Sequence, residues 1–227
     1  MLNYKNNSSG LSIKGQLRRD WPAVALVVAA LVAGCFIYPY LPEQVPAHWN
    51  LQGQVDRYAS RFWGAFGIPL LSAGIYLMML LLPVLDPRHG NYAKFAGTYQ
   101  VLKVTIVCFL TGLYVIVVLS ALGYSVSVER LVPLGVSLLI VIIGNIMGRI
   151  RHNYFVGIKV PWTLASEQVW QKTHRMAAPI WVLAGLAGMV GALFGGKTAA
   201  VFLFAPLSVA VVVPVLYSYL LYRRLHG

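Results

Sequence analysis

Six long apolar runs dominate this chain, and each is about long enough to cross a lipid bilayer. They are Trp21 to Tyr40, Trp63 to Leu85, Val104 to Leu122, Leu131 to Gly148, Ala177 to Phe194 and Thr198 to Leu221. A spanning helix needs roughly 20 apolar residues. Hydrocarbon offers no water to backbone N–H and C=O groups, so a spanning segment is either a helix or part of a closed barrel. Barrel strands alternate apolar and polar residues, whereas these runs are continuous. The expected fold is therefore an all-α polytopic membrane helix bundle of about six transmembrane helices. Composition agrees, with 59% hydrophobic and 11% charged residues. Soluble domains are about half apolar and about a quarter charged. An ordinary soluble enzyme, a disordered chain and a disulfide scaffold are excluded.

Cys35 and Cys108 both fall inside apolar runs. They are expected to be small apolar core residues rather than a disulfide or a metal site. Val32-Ala33-Gly34-Cys35 looks like a lipoprotein cleavage site, but the chain stays apolar through Tyr40, so the stretch reads as a span. Lys103, at the start of the third run, is expected to snorkel to the interface.

The net charge is +12. In a soluble protein this would suggest nucleic acid. Beside six spans it points to the positive-inside rule and to anionic lipid, with no direct nucleic-acid contact. Fourteen of the eighteen Lys and Arg residues lie in the N-terminal segment, the second and fourth loops (counting Lys103) and the C-terminus. Both termini are thus expected on the cytoplasmic side of the cell membrane. The first loop then faces outward and the fourth faces inward. Three regions follow: a cytoplasmic segment 1–20, a pair of spans 21–95 with the outward loop, and a four-span region 96–227 with the inward loop.

The outward loop carries Pro42 and Pro46, which forbid a regular helix at its entry. Asn50 to Gly53 reads as a turn, with Gly53 free to take positive φ. Val45, Trp49 and Val55 are placed to fold back onto the bilayer surface, with a polar set of His48, Asn50, Asp56, Arg57 and Arg61 above them. Two readings stand. The loop is a compact cap tied down by its own side chains, or a docking surface for something outside the cell. In the second reading Pro46, His48, Trp49, Asn50, Gly53 and Asp56 are the ligand-facing residues.

In the inward loop, Asn145, Arg149 and Asn153 recur every four residues and share a face if the helix continues. Gly157 and Pro161 then break the chain. Thr163 reads as the N-cap of a short amphipathic helix on the inner membrane surface. Glu167 stands in its first turns. Gln168, Gln171, Lys172 and Arg175 lie on one side, and Val169, Thr173 and Met176 on the other. Pro179 is expected to bend the chain where the fifth span begins. Glu167 and His174 share a flank, which would suit a proton relay, yet no nucleophile accompanies them. His89 and His152 are expected to be solvated. No metal, cofactor or catalytic set is indicated.

The stretch Val45-Pro46-Ala47-His48-Trp49-Asn50, with Gly53 and Asp56, resembles a domain of unknown function often found at the N-terminus of SdpI-type proteins. The stretch Asn153-Tyr154-Phe155-Val156-Gly157-Ile158-Lys159-Val160-Pro161-Trp162-Thr163-Leu164, continuing through Trp170, Thr173, His174 and Arg175, resembles the signature of the SdpI family of bacterial toxin-immunity membrane proteins. The resemblance implies a six-span immunity protein against a secreted antimicrobial peptide toxin. For signalling members it also implies recruitment of a cytoplasmic repressor. Where the family usually has Arg and Thr before Pro-Trp, this chain has Lys159 and Val160. Lysine lacks the bidentate geometry of arginine. A small secondary transporter and a membrane-embedded hydrolase are the alternatives. A transporter usually needs ionisable groups within the membrane, and no Asp or Glu lies deep in any run.

Overall fold

The computed structural model describes residues 12–226, so the first eleven residues of the expected N-terminal segment lie outside the described residues. A short helix α1 (Ile13–Arg19) leads into α2 (Trp21–Ile37) and a 3-10 turn at Tyr38–Tyr40. Two strands follow, β1 (Gln44–Trp49) and β2 (Val55–Ser60). Then come α3 (Arg61–Leu85), a 3-10 segment His89–Phe95, α4 (Ala96–Ala121) and α5 (Val128–Met147). The short α6 (Pro161–Ala165) precedes α7 (Glu167–Phe194) and α8 (Gly196–His226). Six of these helical segments are long and apolar enough to cross a membrane. The chain is a multi-pass helical membrane protein. With six crossings, α1 and the end of α8 lie at the same end of the bundle, and the β-hairpin lies at the other.

Among the described residues the hairpin is the one non-helical addition to the expected fold. Val45 pairs with Ala59, and Trp49 with Val55, with irregular register around His48. Pro46 lies within β1 although proline cannot donate to a ladder. In a two-stranded ribbon one edge needs no ladder bonds, so proline fits there. Val45 is fully buried with Leu41 and Ala65, which fixes the hairpin on α3.

The helices pack in two groups. α2, α3 and α4 join through Ala23, Val27, Tyr76 and Val107, and through Ala30, Tyr114 and Val118. α5, α7 and α8 form the second group, and small residues set its spacing. A Cβ added at Gly185 would lie 2.7 Å from the Ser137 carbonyl oxygen and 2.8 Å from the Val141 nitrogen. Backbones approach this closely in membranes because small side chains permit it, and packing then replaces the missing hydrophobic drive. Gly185→Leu should therefore sharply reduce the monodisperse fraction in detergent. Gly74→Leu, where an added Cβ meets nothing within 4 Å, should not. Equal behaviour of the two variants would contradict this packing.

The outer surface is apolar, with Val201, Phe204, Val211 and Leu220 all exposed. Such a surface is solvated by lipid rather than water. Cys35 and Cys108 belong to it, both free and exposed, so they are not core residues. Hydropathy alone cannot tell a lipid-facing position from a buried one.

Lys103 also differs from expectation. It does not snorkel. It is 2% exposed and ion-paired with Asp20, itself 1% exposed. The Lys103 ammonium also donates to Gln16 Oε1 at 3.0 Å, and the Tyr76 hydroxyl donates to Asp20 at 3.3 Å. Asp20 lies in the link between α1 and α2, so this pair ties the N-terminal segment to α4.

Candidate functional site

The hairpin end gathers the residues expected to face a ligand. Gly53 has φ of 77°, as its turn requires. Asn50 Oδ1 accepts from the backbone N–H groups of Gln52 and Gln54, each at 3.0 Å. His48 and Asp56 meet at 2.5 Å across the ribbon, both exposed. Pro46 and Trp49 are half-buried. Arg57 and Arg61 do not join the His48–Asp56 pair; Arg61 lies over the Tyr38 ring, 5.8 Å from its centroid. A Cβ on Gly53 would run into the Glu129 carboxylate at the start of α5. The hairpin tip thus reaches from the first helix group to the second.

At the opposite end, residues 150–165 form a closed loop. Asn153 is fully buried and organises it. Its Oδ1 accepts from the N–H groups of Phe155 at 2.8 Å and Val156 at 2.7 Å, and its Nδ2 donates to the carbonyls of Arg151 and Val156. Asn145, Arg149 and Asn153 do not share a face. α5 stops at Met147, Gly148 caps it, and Asn145 and Arg149 are exposed.

Thr163 is not the N-cap of a surface helix. It sits inside α6, where its hydroxyl accepts from Val160 N–H and donates to the Ile158 carbonyl. Ser166 caps α7, accepting from Val169 N–H at 3.4 Å. The amphipathic stretch is the first part of α7 itself, which runs unbroken past Pro179. Pro179 is exposed and lies inside the helix. Of the expected polar side, Gln168, Lys172 and Arg175 are exposed and Gln171 is half-buried; of the apolar side, Val169 and Thr173 are buried and Met176 is half-buried. Trp170 and His174 are buried as well.

Trp170 is the keystone. It is fully buried, donates from Nε1 to the Ile150 carbonyl at 3.0 Å, and stacks on His174 with centroids 4.2 Å apart. Ile158 N–H donates to His174 Nε2 at 2.9 Å, so that nitrogen is the acceptor. The ring proton is on Nδ1 and donates to the Trp170 carbonyl at 2.8 Å. Both ring nitrogens are engaged, and Glu167 bonds Gln171 instead, so no Glu–His relay forms. Gly157 has φ of 125°, and a side chain there would strike the His174 and Trp170 rings. Trp162 anchors the loop to α8 through Ser218 Oγ and the Tyr219 ring. Lys159 and Pro161 are exposed.

The second loop clamps this assembly through Asp86 and Arg88, neither of which was singled out from the sequence. Asp86, 1% exposed, accepts from Tyr92 OH at 3.1 Å, Arg88 N–H at 2.7 Å and Tyr154 N–H at 2.9 Å. Arg88 donates to His152 Nε2 at 2.5 Å and to the Leu164 carbonyl at 3.0 Å, with its guanidinium over the Tyr154 ring. His152 is therefore not solvated. Burial first, and the Arg88 charge second, hold its pKa below the ordinary histidine value. His89 is exposed, as expected. A lone acid, Asp86, on an otherwise basic loop was the available signal. Among the described residues no group of three or more His, Cys, Asp or Glu is placed to hold a metal ion.

Residues 149–218, which contain this closed loop, α6, α7 and most of α8, match the SdpI/YfhL protein family. They belong to it. Residues 25–73, which contain the hairpin, match a domain of unknown function, DUF1648. Over 211 residues the chain is 26% identical to the immunity protein SdpI of Bacillus subtilis (strain 168), covering 93% of this chain and 99% of that protein. No solved structure matches. The buried residues Asn153, Thr163, Trp170 and His174 all lie in the SdpI/YfhL region. Asp86 and Arg88, which clamp it, lie outside both matched regions.

Proposed function

We propose that this chain is an immunity protein of the bacterial cytoplasmic membrane that protects its cell against a secreted antimicrobial peptide toxin. The observation that carries this is the end-to-end similarity to the Bacillus subtilis immunity protein, hairpin and signature loop included. The charge asymmetry supports an orientation with both termini in the cytoplasm. The hairpin then faces outward, where a secreted peptide arrives, and its ligand-facing residues are Pro46, His48, Trp49, Asn50, Gly53 and Asp56. The signature loop faces inward. Its buried members hold the loop shut. Its exposed members Gly157, Lys159, Pro161, Glu167 and Arg175 form the surface available to a cytoplasmic repressor. No chemistry is assigned to the protein.

The buried Lys103–Asp20 pair gives the transport reading its one supporting observation, since ionisable groups within a membrane bundle are often functional. Proteoliposomes should nonetheless show no protein-dependent proton flux. Flux abolished by Lys103→Met would favour transport.

Sensitive cells expressing this chain should survive challenge with the toxin at concentrations that kill cells lacking it. Equal killing at normal membrane levels would overturn the immunity reading. For orientation, a Cys at Gln54 should react with an impermeant reagent in intact cells, and a Cys at Gln168 should not, in a background without Cys35 and Cys108. The reverse pattern would exchange the roles given to the two ends.

A further inference from the structure

The short helix α1 meets α3 and α4 around a small polar cavity of about 20 Å³. Gln16, Arg19 and Asp20 line it from the N-terminal side, and Tyr99, Gln100 and Lys103 line it from α4. The cavity sits where two apolar runs begin, since Trp21 follows Asp20 and Val104 follows Lys103. That level is the edge of the hydrocarbon, within reach of interfacial water. Asp20 is 1% exposed, and its two carboxylate oxygens are treated unequally. Oδ2 accepts from Lys103 and from the Tyr76 hydroxyl. Oδ1 is buried and has no hydrogen-bond partner among the described residues. A buried charged oxygen left bare costs more than a neutral one. Lys103 has three N–H donors, of which Asp20 Oδ2 and Gln16 Oε1 take two.

We propose that this cavity binds one water molecule, which donates to Asp20 Oδ1 and accepts from Lys103. Size and charge select the occupant. A water needs roughly 10–15 Å³ of such space, so the cavity takes one water and is too small for a phosphate or a lipid headgroup. A halide has no proton to donate and would lie against the bare carboxylate oxygen. A metal cation is disfavoured because the Lys103 ammonium already neutralises Asp20, and Arg19 adds a second positive charge at the same cavity. Water both donates and accepts, and two to four polar partners are what a buried water requires. Beside the cavity, Gln100 Nε2 donates to the Arg19 carbonyl at 2.5 Å, a second tie between α1 and α4. The water completes this latch. It turns a half-satisfied ion pair into a connected polar network, and such networks hold a structure rigid only when every member has its partner.

The test is hydroxyl-radical footprinting of the full protein in detergent with a short X-ray pulse, oxidised residues being mapped by mass spectrometry. Radicals made from a bound water attack the side chains around it, whatever the exposure of those side chains. Tyr99, 4% exposed, lines the cavity, whereas Trp170, 0% exposed, does not. Indole is the more reactive ring, which makes Trp170 a strict control. Tyr99 should be oxidised severalfold faster than Trp170. Ala96→Leu adds bulk on the cavity wall. It should bring Tyr99 down to the Trp170 rate and lower the melting temperature by several degrees. Equal rates at Tyr99 and Trp170 in the wild type would overturn the proposal. So would an unchanged Tyr99 rate in a folded Ala96→Leu variant. If that variant does not fold, Lys103→Met combined with Asp20→Asn takes its place, since it removes the charges that hold the water, and the same two readings apply. Replacing sodium chloride by choline chloride should change neither the Tyr99 rate nor the melting temperature. A melting temperature that rises with sodium would assign the cavity to a cation and overturn the water.

Discussion

Replacing Lys103 by methionine will destabilise the bundle by about 3–5 kcal/mol, because it leaves the Asp20 carboxylate buried without its cation. Asp20 is 1% exposed, and one of its oxygens, Oδ1, already has no hydrogen-bond partner among the described residues. The Tyr76 hydroxyl at 3.3 Å is too little to hold a bare charge. Removing both charges is a different case, since a buried pair often contributes little net stability over an apolar replacement. Lys103→Met combined with Asp20→Asn should therefore recover most of the loss. Thermal unfolding of the wild type and both variants in one detergent measures this. A single variant as stable as the wild type would show that Asp20 reaches water when its partner is gone.

Trp170→Ala should cost a similar amount, about 3–5 kcal/mol, as truncation of a fully buried aromatic does. The cavity would open among Met79, Tyr92, Phe95, Tyr99, Leu102, Ile146 and Ile150. The Ile150 carbonyl would lose its donor and His174 its stacking partner. Trp170→Phe keeps the bulk and loses chiefly the indole hydrogen bond, so it should cost about 1 kcal/mol. Melting temperature is the readout for both. Because Trp170 has no exposed surface, any loss of partner recruitment should follow loss of folded protein. Recruitment abolished in a variant with unchanged melting temperature would instead assign Trp170 to a contact surface reached by opening the loop.

The six spans were legible because continuous apolar runs report where hydrocarbon lies. Their ends were less so. α4 begins at Ala96 and α7 at Glu167, well before the apolar runs at Val104 and Ala177. Hydropathy marks the part of a helix within the bilayer, while hydrogen bonding and packing carry it further. The turn at Gly53 could be read locally, since its φ is a property of four residues. The strands around it could not, because Pro46 masks the alternation. The clamp of Asp86 and Arg88 on residues 150–165, and the Lys103–Asp20 pair, join positions more than sixty residues apart. No local period encodes such contacts. Spacing and local signals singled out Asn145, Arg149, Asn153, Thr163 and Glu167, and the resemblance joined them into one signature. The structure then separates those that are buried, such as Asn153 and His174, from those left on the surface, such as Lys159 and Arg175.

The hairpin is proposed to meet the toxin, and its exposed His48–Asp56 hydrogen bond offers a clean handle. His48 and Asp56 are largely solvent-exposed, and exposed pairs contribute little to stability. Asp56→Asn should therefore fold and reach the membrane at normal levels. Trp49, an aromatic anchor of the kind that dominates binding hot spots, is the second position to change. The decisive measurement is survival under toxin challenge, divided by the amount of each variant in the membrane. Protection per molecule should fall for both Asp56→Asn and Trp49→Ala while melting temperatures hold. Full protection per molecule in both variants would contradict the account.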